Sequence, residues 1–430
     1  MQQPMYYYRK RSEEEQSKIS KRKWKSTLIE SQIERIKKNN VSVIQFKIAS
    51  YNILSPKLLE DNFYLYENLD KSYLEWQYRR RNILKELKKL NAHIFCFQEL
   101  EEQEYESFFR EKLVKMGYLS VYNKRGCQKV DGCCIAFKKN FFDLEKQINV
   151  NYFVPGVEVL SKENIGIILL LKFKSAFSSC SNLHSEPKFL CVATTHIVYN
   201  PKRGDSKMAQ LQLLLANIDR IAFKKSSIIQ NQLVTEYHPI VLCGDFNFTN
   251  DSKIYEFLTK AHLENYKLLN RADLSGQKLD FKNYIPIGKC LIPEWLGISD
   301  QSQFKPVIDS RNLRLLLDKS NLNQVIKEGS FGTDIISHSF DFKSAYPHKD
   351  ENGIAEITTC IRDFRKSVDF IFFHSEAKSN FQREIGQESN KLHLLARLEL
   401  FNENECKNLF IPNKNYSSDH FMVAAKFYLT

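Results

Sequence analysis

The sequence predicts an α/β protein in which two packed β-sheets are flanked by helices. Two observations carry that prediction. Short apolar strand patterns alternate with amphipathic helical ones along most of the 430 residues, and the strands outnumber what one open doubly wound sheet would need. The composition supplies the core: 43% of residues are hydrophobic, with 31 Phe and 20 Tyr. Only 14 Gly and 11 Pro exclude a collagen-like or broadly disordered chain.

Taken in order, Gln45 to Tyr51 alternates Phe46 and Ile48 with polar neighbours and reads as the first strand of the body. Ser72 followed by Glu75 has the spacing of a capping box opening a helix, whose apolar positions Trp76, Ile83, Leu87 and Leu90 share one face. His93 to Phe97 is a short apolar strand ending in Gln98 and Glu99. Further strands are expected at Gly132 to Phe137, Ile165 to Phe173 and Phe189 to Thr195. A helix is expected from about Asp205 to Phe223, with Met208, Leu211, Leu215 and Ile218 inward. Pro239 to Cys243 is a buried strand running into Gly244-Asp245-Phe246-Asn247, and Ser252 caps the next helix. The stretch from Gln277 to Ser310 has weak periodicity, with two prolines near Trp295, and reads as an excursion. Strand signals return at Ile354 to Cys360, Ser367 to Phe373 and Phe421 to Leu429.

The net charge of +12 points to an anionic partner, either nucleic acid or an acidic membrane surface. Half of that excess lies in Met1 to Asn39, where eleven Lys/Arg face five Asp/Glu. Residues 1–40 therefore read as a basic extension, either a solvated tail with at most a surface helix or a segment that grips RNA or a partner. Residues 41–430 read as one domain. The ten cysteines form no Cys-x-x-Cys pair, and several fall in apolar strands, which argues against a zinc site. With no signal peptide, the expected setting is intracellular, cytoplasmic or nuclear. No apolar run approaches the ~18 residues of a membrane span.

The chemistry lies at strand ends. Asn52, Glu99, His196, Asp245 and Asn247 each follow an apolar strand, Asp369 sits inside Val368 to Phe373, and Asp419 and His420 precede the last strand. Burying an unpaired carboxylate costs several kcal/mol or forces it to take a proton. Carboxylates gathered at strand ends thus suggest a shared cation, and oxygen ligands without Cys favour Mg²⁺ or Mn²⁺ over zinc. Asp245 and Asn247, two apart, would project to one side of an extended chain. Singly these residues also suit a turn, a loop start or a strand cap; Asp369, flanked by Val368 and three phenylalanines within Phe370 to Phe373, is harder to explain without a partner.

The order and spelling of these motifs resemble those of the endonuclease/exonuclease/phosphatase superfamily. They are Ser50-Tyr51-Asn52-Ile53-Leu54, Gln98-Glu99, Thr195-His196, Gly244-Asp245-Phe246-Asn247, Val368-Asp369 and Ser418-Asp419-His420. The resemblance runs from about residue 45 to the C-terminus. Within the superfamily the chain is most similar to the deadenylase-related nucleases and their Angel branch, through Thr195 to Asp205, Asp131-Gly132-Cys133 and Leu394 to Leu398. This resemblance implies a four-layer α/β sandwich. It also implies that Glu99 ligates the principal Mg²⁺, with Asn52 nearby holding the phosphate or a second metal and Asp419 a further metal-side carboxylate. Asp245 would deprotonate the attacking water and Asn247 fix the scissile phosphate. His420, oriented by Asp369, would stabilise phosphoryl charge, and His196 would be a second phosphate contact. Tyr199, Asn200, Lys202 and Arg203 follow His196 directly and are expected to rim the cleft, meeting the backbone phosphates and a base of single-stranded RNA; a polar turn at Asn200-Pro201 is the plainer reading. The implied activity is Mg²⁺-dependent phosphoester hydrolysis at RNA 3′ ends, by opening 2′,3′-cyclic phosphates or by 3′-to-5′ trimming. The alternatives are a phospholipid phosphodiesterase of the same fold, for which no membrane-binding surface is visible, and an RNA- or translation-factor-binding scaffold, which the intact motif set disfavours.

Overall fold

The computed structural model describes residues 22–430 except 29, 40–42, 127, 176–186, 230–231, 278–283, 318–328, 362–363, 375–390 and 408. Much of the basic extension, including Tyr6 to Tyr8, lies outside the described residues. Its later part holds a strand, β1 (Trp24–Ser26), and a helix over Glu30–Asn39.

Two sheets form the body. The first combines β1 with β2 (Ile44–Asn52), β3 (Ile94–Glu101), β4 (Tyr118–Lys124), β5 (Asp131–Lys138), β12 (Leu392–Leu398) and β13 (Val423–Leu429), in the order β1-β12-β13-β2-β3-β5-β4. The second holds β6 (Phe142–Asn151), β7 (Ile165–Phe173), β8 (Phe189–His196), β9 (Ile240–Asp245), β10 (Phe342–Ser344) and β11 (Asp369–His374), in the order β10-β11-β9-β8-β7-β6. Each sheet is antiparallel apart from one parallel pair, β2 with β3 and β8 with β9.

The period-two pattern decides which residues face where. Phe46 and Ile48 of β2, Ile94 and Cys96 of β3, Ile165, Ile167, Leu169 and Leu171 of β7, and Val241 and Cys243 of β9 meet in one core between the sheets. Their alternates face outward. Ala49, Tyr51, Phe95 and Phe97 pack with Ile83 and Leu87 of helix α1 (Trp76–Leu90). Ile168, Leu170, Ile240 and Leu242 pack with Met208, Leu211, Leu215 and Ile218 of helix α2 (Gly204–Ala222) and with helix α3 (Lys253–Lys260). The result is the expected sandwich of two sheets between helical layers.

Local differences from the sequence reading have local causes. Ser72 and Glu75 form no capping box. Asp70 accepts from the Ser72 amide and caps a separate four-residue helix, Lys71–Leu74, before α1 begins at Trp76. The capping box that forms joins Asn402 and Glu405. Ser252 does cap α3, accepting from the Tyr255 amide. The 277–310 excursion contains a 3₁₀ turn at Glu294–Leu296 and the start of a helix at Lys305. Strands β4, β6 and β12 escaped the pattern search because polar side chains interrupt their apolar alternation. Among the described residues no helix is long and apolar enough to cross a membrane.

Candidate active site

The polar strand ends converge because of register. In the parallel pair β8/β9, His196 lies beside Asp245; in the antiparallel pair β9/β11, Asp369 lies on the other side of Asp245. Asn52, Glu99, Asp419 and His420 come from the opposite sheet or its margin. The seam is bridged by Asn52, whose Nδ2 donates to Glu99 Oε1 at 2.9 Å and to Asp245 Oδ2 at 3.0 Å. Its Oδ1 accepts from the Leu54 amide at 3.0 Å. In this arrangement Asn52 presents its nitrogen to the carboxylates and ties them together, with its oxygen turned away to the backbone.

Two backbone departures aim the side chains. Between Phe97 and Leu100 the pairing of β3 with β5 slips, and Glu99 takes a left-handed conformation with φ of 57°. That bulge breaks strict alternation and turns the carboxylate into the cleft. After β9, Asn247 is also left-handed, with φ of 50°, and its amide donates to Asp245 Oδ1 at 3.0 Å. Asp245 and Asn247 are therefore related by a tight turn rather than by the extended chain expected from their spacing. Gly244 permits the approach of β9 to β8: a Cβ there would lie 2.0 Å from the Thr195 carbonyl oxygen.

The cluster is buried and short of positive charge. Asp245 and Asp369 are 2% and 3% exposed. Burial pushes the Glu99 carboxyl up to about 7, helped by the charge of Asp419, and pushes Asp245 up to about 7, helped by Asp369. His420 is opposed by burial, yet its Nδ1 lies 2.8 Å from Asp369 Oδ2, and Asp369, Asp419 and Asp245 together hold its imidazolium well above the ordinary histidine range. The opposite holds for His196, kept neutral by burial and by the charges of Arg125 and His420. The Nε2 atoms of His196 and His420 stand 3.7 and 3.8 Å from Asp245 Oδ2.

This donor set suits a divalent cation. Glu99, His196 and Asp245 each bring one ligand atom within 4.8 Å of the others, as do Asp245, Asp369 and His420. The buried Nδ1 of His196 has no hydrogen-bond partner among the described residues, and two carboxyls driven upward by burial are the signature of acids wanting a cation. Asp419, expected on the metal side, stands outside both groups. Its Oδ2 accepts from the Tyr66 hydroxyl at 2.7 Å, and its influence on Glu99 is electrostatic.

The residues expected at the rim divide. Tyr199 is 67% exposed, and Asn200 and Lys202 are exposed, with Asn200 Oδ1 accepting from the Lys202 amide at 2.9 Å in a turn. Arg203 is drawn away into the fold, its Nε donating to Asp205 Oδ1 at 2.9 Å. The Asn247 side chain donates to the Ile197 carbonyl at 3.0 Å.

Several residues that build the site were given no role by the sequence reading. Arg79 is fully buried, donating to the carbonyls of Ile53, Leu54 and Ser417 behind the Asn52 and Asp419 segments. The helical spacing held the clue, because 79 falls on the same stripe as Trp76, Ile83 and Leu87. Gln98 joins the sheets, its Nε2 donating to Thr194 Oγ1 at 2.9 Å and to Ser50 Oγ at 3.1 Å. Lys207 likewise falls on the stripe of Leu211, Leu215 and Ile218, whereas nothing in the spacing singles out Tyr66.

Comparison with known proteins places this geometry. The model of the Endonuclease/Exonuclease/phosphatase family matches residues 49–420. Protein angel homolog 2 of Homo sapiens is 35% identical over 393 residues, covering 89% of this chain and 69% of that protein. Protein angel homolog 1 of Homo sapiens is 30% identical, covering 94% and 66%. The crystal structure of ANGEL2, a 2′,3′-cyclic phosphatase, in complex with adenosine-2′,3′-vanadate superposes with a TM-score of 0.72 at 34% identity, over 95% of this chain and 99% of that one. The chain thus belongs to the endonuclease/exonuclease/phosphatase family, within its Angel branch.

Proposed function

We propose that this chain hydrolyses 2′,3′-cyclic phosphates at the 3′ ends of RNA in a reaction dependent on Mg²⁺, with Mn²⁺ as a substitute. The observation that carries the reading is the convergence of Asn52, Glu99, His196, Asp245, Asp369 and His420 in one buried seam. The likeness to ANGEL2, described as a 2′,3′-cyclic phosphatase, supports the choice of substrate.

Glu99, with His196 and Asp245, would hold the cation, which supplies charge neutralisation at the phosphoryl oxygens and acidifies the attacking water. The protein's own groups divide the remaining work. Asp245, whose carboxylate lies between the two histidines, would accept the proton of that water. Water oxygen adds to phosphorus as one P–O bond to the ribose breaks. His420 is kept cationic by Asp369, so its Nε2 can donate to a phosphoryl oxygen and return a proton to the leaving ribose oxygen. Asn247, pinned by its turn, holds the phosphate through its second amide N–H. Tyr199 offers an exposed ring on which the terminal base of a single-stranded end stacks, and Lys202 a cation for its backbone.

The deciding assay offers RNAs ending in cyclic phosphate, 3′-phosphate or oligo(A), with Mg²⁺. Consumption of the cyclic end alone is expected. Shortening of oligo(A) with the cyclic end untouched would replace this reading with 3′-to-5′ trimming.

A further inference from the structure

Helix α2 carries a cation that the reaction does not use. Lys207 is fully buried. Its Nζ donates to two backbone carbonyls: that of Tyr199 at 3.3 Å and, by a short bond, that of Asn247. These carbonyls belong to different segments. One is in the loop that leaves β8 after His196 and carries Tyr199 over the rim; the other is in the left-handed turn that follows Asp245. Burial draws the ammonium down to about 7, with the charge of Asp245 working the other way.

The surroundings make Lys207 the junction of a small lattice. Three residues further along α2, Gln210 Oε1 accepts from the Val198 amide at 3.0 Å, so the helix grips the loop on both sides of Tyr199. The Asn247 carbonyl also accepts from Gln277 Nε2 at 2.8 Å. The Asn247 side chain in turn bonds the Ile197 carbonyl at 3.0 Å, closing the ring from loop to turn. The Tyr199 ring projects outward, 67% exposed, where its phenol feels Tyr64, Asp245 and Asp419. A buried ammonium demands acceptors, and here the demand is met by the two segments that must move together if substrate docking is to register with the reacting phosphate.

We propose that Lys207 is a positioning residue that locks the Tyr199 loop to the Asp245–Asn247 turn, so that docking of the terminal nucleotide on Tyr199 and placement of Asn247 against the phosphate are a single event. The inference rests on the proposed hydrolysis, in which Tyr199 and Asn247 meet the substrate.

A double-mutant cycle on the full chain tests it, reading kcat and KM separately on a short RNA with a 2′,3′-cyclic phosphate. Lys207→Met should lower kcat on the order of 10- to 100-fold, because small misplacements of a reacting group cost that much. Tyr199→Ala should raise KM roughly 10-fold in the wild-type background and by less than about 3-fold in the Lys207→Met background, since coupled residues are non-additive. Lys207→Arg, which keeps a cation with several donors, should recover part of kcat. The proposal is overturned if Lys207→Met keeps kcat within about 3-fold of wild type, or if the two effects simply multiply. Should Lys207→Met lack a cooperative melt, Lys207→Gln, whose amide reaches one carbonyl only, takes its place in the cycle with the same criteria. If wild-type protein consumes a different RNA end, the proposed substrate falls, while the cycle run on that end still judges Lys207. If Tyr199→Ala leaves wild-type KM unchanged, the docking half of the proposal is lost.

Discussion

Stripping the divalent cation from this protein should make its stability fall as pH rises, and neutralising Glu99 should undo the Glu99 share of that loss. Without a cation, the Glu99 carboxyl titrates at about 7 rather than 4.5, and Asp245 at about 7 rather than 3.8, both chiefly because they are buried. The unfolded chain releases these protons in the ordinary carboxylate range, whereas the folded chain keeps them to about 7. Between those limits the folded state binds more protons, so its stability declines with pH. At 1.36 kcal/mol per pH unit, the Glu99 gap is worth about 3 kcal/mol above neutrality. For a protein of this size that is roughly 3–4 °C in Tm, taking ~2.1 cal/mol/K of unfolding entropy per residue.

The assay is thermal melting of wild type and Glu99→Gln, in chelator and in excess Mg²⁺, at pH 5 and pH 8. In chelator, Glu99→Gln should melt roughly 3–4 °C above wild type at pH 8 and level with it at pH 5, where the wild-type carboxyl is already protonated. Mg²⁺ should raise the wild-type Tm at pH 8, do little at pH 5, and do little for Glu99→Gln at either. His196 and His420 are shifted in opposite directions, downward and upward, and are common to both proteins. A Glu99→Gln chain that is less stable than wild type in chelator at pH 8, or a Mg²⁺ gain that ignores pH, would refute the electrostatic account of the site.

Other outcomes follow from single groups. Asp245→Ala should abolish hydrolysis, by ~10³-fold or more, while the protein stays folded and still binds RNA; near-normal turnover in a single-turnover assay would remove Asp245 as the base. Excess EDTA should stop the reaction and added Mg²⁺ restore it, so full activity in chelator would dismiss the cation. Asp369→Asn takes away the carboxylate 2.8 Å from His420 Nδ1, and the imidazolium should then lose its proton at lower pH. The alkaline limb of the pH–rate profile should move acidward, and a limb that stays in place would show that His420 is not the titrating group. Phe46→Ala empties a site between the sheets where Phe46 meets Phe427 at 5.7 Å and Phe173 at 5.9 Å. Urea unfolding should report a loss of about 3–5 kcal/mol, and a loss under 1 kcal/mol would mean the sandwich core repacks.

The layers and the cast of the site were legible along the chain. Continuous apolar runs marked β3, β7 and β9 as buried strands, alternation in β2 showed its core face, and a helical stripe showed which face of α2 covers the sheet, because burial of apolar surface acts residue by residue along a regular backbone. The polar residues at strand ends stood out for the same reason, as side chains out of place in apolar runs. How those residues meet is a property of the folded molecule. That Asp369 and His196 flank Asp245 is a matter of strand register between residues 124 and 49 apart in sequence numbering, and no local pattern encodes a partner so distant. Asn247 joins Asp245 through a left-handed turn, and Glu99 faces the cleft through a bulge, both departures from the periodicity that sequence reading relies on. Arg79 and Lys207 are cations on helices, a residue type that ordinarily faces water. Their burial is set by carbonyls at the ends of strands that neighbour one another within a single sheet, after β2 and before β13 for Arg79 and after β8 and β9 for Lys207, which exist as a binding site only once those strands have paired.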